Sequence, residues 1–159
     1  MEQDVVVLSH LFRNRLFVFD EEKELVDFTG LSGKQIDSPR LLFILNNPGE
    51  VTISENDADL LSKMTGYIGI EKSKAAAINI ADLPVSFLQL KERNILAIIA
   101  FGIHPSRIGL QTEQPLNEVI HFRNVEILFT DSLSALAALP RNHPFKNRFF
   151  DVAKSMLRP

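Results

Sequence analysis

The stretch that decides the fold is Arg40–Glu50, "RLLFILNNPGE". Five apolar residues in succession, with no polar alternation, are too few for a helix and suit a strand buried on both faces. Asn46-Asn47-Pro48-Gly49 follows at once. Pro fixes one central turn position and Gly supplies a positive φ at the next, so the chain must reverse there. A helix is then expected to open at Ser54, with Asp57 three residues on in capping-box spacing, and to present Leu60, Leu61, Met64, Tyr67 and Ile68 on one face.

Working outward, the same pattern recurs. "AAAINIA" reads as a second strand, leading to Asp82 and Pro84 as cap and first-turn pair of a short helix with Phe87 and Leu90. "ILAIIAF" reads as a third strand. About twenty irregular residues, "IHPSRIGLQTEQPLNEVIHF", separate it from a fourth, "VEILFTD". The closing helix carries Phe145, Phe149, Val152, Met156 and Leu157 on one face. Apolar strands alternating with helices indicate a mainly parallel sheet covered on both sides. The expected fold is therefore an α/β three-layer sandwich with about four strands, formed by residues 40–159. Residues 1–39 read as an N-terminal segment and linker, the latter "TGLSGKQIDSPR".

At 159 residues the chain suits one domain with a real core. Its 45% hydrophobic content exceeds what a disordered chain carries, and its apolar runs are about half the length of a membrane span. No membrane is expected as a partner. The start, "MEQDVVVLSH", is acidic where a signal peptide is basic, and cysteine is absent, so a cytoplasmic protein is the simplest expectation. A net charge of −3 disfavours free DNA or RNA as the main ligand, leaving nucleic acid only an indirect or weak partner. Charge is uneven: Asp20–Asp27 sums to −4 and Arg141–Pro159 to +4.

In open parallel sheets ligands bind beyond the carboxyl ends of the strands, which draws attention to the loops after Leu45, Ala81, Phe101 and Phe129. Neither GxGxxG nor GxxxxGK[ST] occurs, so no dinucleotide or P-loop cofactor is expected. The four histidines, His10, His104, His121 and His143, lack metal-ligand spacing, and no serine sits in a GxSxG elbow. No metal and no cofactor are expected. The turn at Asn47-Pro48-Gly49 is open to two readings at this point, ordinary turn chemistry or a ligand-facing loop.

From Arg40 to Leu157 the order of segments resembles the uracil-DNA glycosylase-like superfamily. "LLFILNNPGE" is similar to its first motif, and "VEILFTDSLSAL" with "NHPFKNRFFDVAKSML" to its last strand, second motif and closing helix. In some branches of that family the first motif is Asn-Pro-Gly and its Asn positions the attacking water, a role the resemblance gives to Asn47. The second motif falls at Thr130-Asp131-Ser132, where a glycosylase keeps His-Pro-Ser. The tripeptide His104-Pro105-Ser106 has the right letters one strand too early. The resemblance thus implies a vestigial pocket of Asn46, Asn47, Pro48, Gly49, Thr130, Asp131 and Ser132, with no catalytic residue.

Within the superfamily the chain is most similar to the non-catalytic psi-subunit branch of bacterial DNA polymerase III. This implies an adaptor in DNA replication that works by protein–protein interaction, with a clamp-loader subunit and a chi-like subunit as partners. The N-terminal peptide docks in that branch; here the matching segment is Val5–Phe19, anchored by Leu8, Leu11, Phe12, Phe17 and Phe19. The alternative is a base-excision enzyme with a degenerate site, in which Asn47 positions water and His104 or Asp131 stabilises developing charge.

Overall fold

The computed structural model describes residues 28–36, 38–83, 85–91, 93–113 and 116–157. The docking residues expected from sequence, Leu8, Leu11, Phe12, Phe17 and Phe19, lie outside the described residues, as does Pro84. Among the described residues six strands form one sheet: β1 (Thr29–Gly30), β2 (Leu41–Leu45), β3 (Ala75–Asn79), β4 (Ala97–Phe101), β5 (Val119–Phe122) and β6 (Val125–Thr130). Their spatial order is β1-β3-β2-β4-β6-β5. The four strands expected from sequence are the inner four, and all three pairings among them are parallel.

The expectation of about four strands is corrected by the two edges, both antiparallel: β1 on β3, and β5 on β6. β5 lies in the stretch read as irregular. It returns along β6 through a tight turn with Arg123 at φ 56°. β1 lies in the stretch read as linker, and Phe28 just before it is 3% exposed within the core. Phe28 and β1 thus pack with the sheet, and removing them would expose part of that core.

Alternate residues of the inner strands face opposite layers. Leu41, Phe43, Leu45, Ile99, Phe101 and Leu128 point to one side, beneath helices α1 (Glu55–Ile68), α3 (Leu133–Ala138) and α4 (Pro144–Ser155). Leu42, Ile44, Ile78, Ile98, Ile127 and Phe129 point to the other, beneath α2 (Phe87–Lys91) and the 3₁₀ turn Pro105–Ile108. This is the three-layer α/β arrangement. The best-packed centre is aromatic: ring centroids of Phe43 and Phe101 lie 6.1 Å apart, and those of Phe101 and Phe149 6.0 Å apart.

The caps are written locally. Ser54 Oγ accepts from the Asp57 N–H at 3.2 Å, opening α1 as its spacing requires, and Gly69 at φ 89° closes it. For α2 the expected cap, Asp82, is replaced by Ser86. Ser86 Oγ accepts from the Gln89 N–H at 3.3 Å, while Gln89 Oε1 accepts from the Ser86 N–H at 2.9 Å. This reciprocal pair satisfies two orphan amides at once, which an Asp four residues upstream cannot do.

Candidate functional site

The first parallel strand, β2, lies between β3 and β4, so the connections leaving it and returning past it run on opposite faces. A sheet wound both ways places its crevice at the carboxyl ends of the strands beside this reversal. Four loops meet there, after β2, β3, β4 and β6.

The β2 loop is held by a residue that carries no motif in the sequence. Asn79, the last residue of β3 and 7% exposed, accepts at Oδ1 from the N–H of Asn47 (3.0 Å) and of Ala81 (3.2 Å). Its Nδ2 donates to the carbonyls of Asn47 (2.9 Å) and Glu50 (2.7 Å). One amide side chain thereby fixes both ends of the Asn47–Glu50 turn. Gly49 adopts φ 84°, the left-handed region that the turn demands. Asn46 and Pro48 are exposed, and Asn47 is half-buried. The Asn47 side chain turns along the protein: its Nδ2 donates to Asp57 Oδ2 at 2.8 Å and to Glu50 Oε2 at 3.3 Å.

At the second motif Thr130 is 1% exposed, and its hydroxyl has no hydrogen-bond partner among the described residues. Asp131 is exposed, and its Oδ1 accepts from the Ser132 N–H at 2.9 Å. Ser132 caps α3, its Oγ accepting from the Ala135 N–H at 3.2 Å. No hydrogen bond joins Asn46–Gly49 to Thr130–Ser132. The two expected halves are connected through other residues. Arg107 Nη2 donates to the carbonyls of Ile80 and Ala81, both at 3.2 Å, tying the β4 loop to the β3 loop. Gly102 donates its N–H to the Thr130 carbonyl at 3.0 Å. A Cβ on Gly102, at φ 62°, would stand 3.2 Å from Ser132 Cα, so a side chain there would be strained and would push the β4 and β6 loops apart by a few tenths of an ångström.

His104 is exposed and caps the 3₁₀ turn Pro105–Ile108. Its Nδ1 accepts from the Ser106 N–H at 3.3 Å and lies 2.8 Å from the Ser106 hydroxyl. Among the described residues no group of three or more His, Asp or Glu is placed to hold a metal ion. No protein-family model matches the chain, and no curated protein matches it in sequence. Among the described residues Glu50, Glu55, Asp57, Asp82 and Asp131 bring five carboxylates to these loops and the first helical turn, against the guanidinium of Arg107. That balance repels a phosphate backbone.

A second concavity lies between α1, α3 and α4, with Leu133, the residue after Ser132, in its lining. It is a groove of about 200 Å³. The signal was present only as spacing: Leu60, Met64 and Tyr67 recur on one face of α1. Among the described residues no helix is long and apolar enough to cross a membrane.

Proposed function

We propose that this chain is a non-catalytic adaptor of the psi-subunit type, joining components of a DNA-replication assembly through protein–protein contacts. One observation carries the reading. The side-chain amide of Asn47, the residue that the family resemblance would give to water positioning, directs its donors at Asp57 and Glu50 of its own chain. Base excision requires polar groups aimed at an extruded base and at the attacking water. Here the first-motif amide braces a turn, and Ser132 of the second motif caps a helix. The carboxylates around these loops add to the support, since an extruded base arrives with its phosphates. In this reading Val5–Phe19 docks on a clamp-loader subunit and the folded domain holds a second, chi-like protein.

The test has two arms. Full-length protein is incubated with single strands containing uracil or other deaminated bases, and abasic sites are revealed by alkaline cleavage; no cleavage is expected. Excision that disappears in Asn47→Ala overturns the proposal in favour of a base-excision enzyme. In the second arm the tagged chain is used for capture from native lysate, and a clamp-loader subunit is expected among the recovered proteins. Failure to recover any clamp-loader component counts against the adaptor.

A further inference from the structure

The outer surface of a covering helix in a self-contained three-layer domain is ordinarily polar. The α1–α4 surface departs from that rule at Tyr67, which is exposed beside the half-buried Leu60 and Phe150, over the buried Met64, Leu133 and Leu136. Leu60, Met64 and Tyr67 from α1, Leu133 and Leu136 from α3, and Phe150 from α4 line one groove. Tyr67 remains 57% exposed. A row of rings links the wall to the core. Phe149 and Phe150 stand 5.0 Å apart edge-on, and Phe150 and Tyr67 4.7 Å apart.

The rim is basic. Among the described residues Lys63 on one wall and Lys146 on the other are the charged residues lining the groove. Lys154 adds a third ammonium, 3.9 Å from the centroid of the Tyr67 ring. Of the acids on these helices, Asp59 pairs with Lys63 at 2.6 Å where both are well exposed, and Asp151 is exposed beside Phe150. Lys146 donates once, to the Leu139 carbonyl at 3.0 Å, and an ammonium has two further N–H groups to offer. At about 200 Å³ the groove is smaller than the roughly 300–1,000 Å³ of small-molecule and cofactor sites. It has room for a few apolar side chains.

The geometry points to a docking groove for an amphipathic segment of a partner protein, with apolar anchors at helical spacing and carboxylates flanking them to meet Lys63 and Lys146. This deepens the adaptor reading and rests on it. Charge complementarity selects the occupant: the charged residues lining the groove are lysines, which favour acid-flanked segments there, while the net charge of −3 draws basic segments to other parts of the protein.

The experiment uses the full chain and two labelled peptides of about 16 residues, long enough to lie beside the 14 residues of α1. Both carry Leu at i, i+3, i+4 and i+7; one has Glu at the flanking positions and the other Lys. Fluorescence anisotropy is expected to show saturable binding of the Glu peptide, about tenfold tighter than the Lys peptide, as two partly exposed ion pairs provide. The double variant Lys63→Glu with Lys146→Glu is expected to reverse that preference. Leu60→Asp is expected to weaken the Glu peptide by about tenfold or more, with circular dichroism confirming that each variant is folded. Equal binding of both peptides, an unchanged preference in the double variant, or no binding overturns the proposal. Benzoylphenylalanine in place of Tyr67 should crosslink to the Glu peptide. Crosslinks instead to residues 1–27 of the same chain, or to a second copy, overturn it in favour of those occupants. Peptide binding alongside base excision upholds the groove while removing the adaptor. Absent binding without excision removes the groove and leaves the adaptor to another surface.

Discussion

Replacing Asn79 by Ala tests how the loops at the carboxyl ends are held. The substitution deletes four hydrogen bonds, two accepted from the Asn47 and Ala81 amides and two donated to the Asn47 and Glu50 carbonyls. A typical intramolecular hydrogen bond contributes about 1 kcal/mol net, and the freed groups of this half-exposed loop regain part of that from water. The expected loss is therefore about 2–4 kcal/mol. For a domain of this size each kcal/mol lowers Tm by about 2–4 °C, so the midpoint should fall by about 5–15 °C. Urea unfolding followed by circular dichroism should show a lower midpoint with an unchanged slope. Asn47→Ala is the control. It removes only the half-exposed contacts to Asp57 and Glu50 and should cost less than about 1 kcal/mol. If Asn79→Ala stays within about 0.5 kcal/mol of the parent, or if Asn47→Ala costs more than it does, the reasoning fails.

Gly102→Ala should destabilise by about 2 kcal/mol or more, since φ 62° is combined with Ser132 atoms at 3.2 Å. Gly49→Ala, at φ 84° in open space, should cost only about 1 kcal/mol; the two urea midpoints compared directly decide the matter. Thr130→Val removes a buried hydroxyl without a partner and nearly preserves volume, so stability should be unchanged or raised by about 1 kcal/mol. A loss above about 1 kcal/mol by calorimetry would show that the hydroxyl is engaged. Phe149→Ala, at 0% exposure between Phe101 and Phe150, should cost about 3–5 kcal/mol in chemical unfolding. A loss under about 1.5 kcal/mol would contradict its place in the core.

The parallel core was legible because strands covered on both faces admit almost no polar residue, which leaves LLFIL, AAAIN and AIIAF standing out as uninterrupted runs. The edges were not. β1 has two residues and so no periodicity, while β5 is half-buried and paired on one side, which erases the apolar run without installing a clean alternation. α3, six residues long, is too short to show a helical period. At the site, the Asn47-Pro48-Gly49 turn was visible because turns are local chemistry. The parts played by Asn79 and Arg107 were hidden because they depend on which loops the strand order brings together. The one available signal was an amide ending an otherwise apolar strand. The α1–α4 groove was hidden for the same reason: Tyr67 and Phe150 belong to helices distant in the chain.

The strand order also dictates which contacts the chain can form early. Leu41 at the start of β2 pairs with Ala75 on one side and Ala97 on the other, so the central strand gains no neighbour until long stretches of chain have been looped back. Phe122 and Val125, by contrast, meet across a two-residue turn. Closing long loops lowers chain entropy before any contact compensates, whereas a hairpin forms within about 1–10 μs. The centre of the finished sheet is thus its kinetically remote part, and the periphery at β5 and β6 is where order is cheapest to begin.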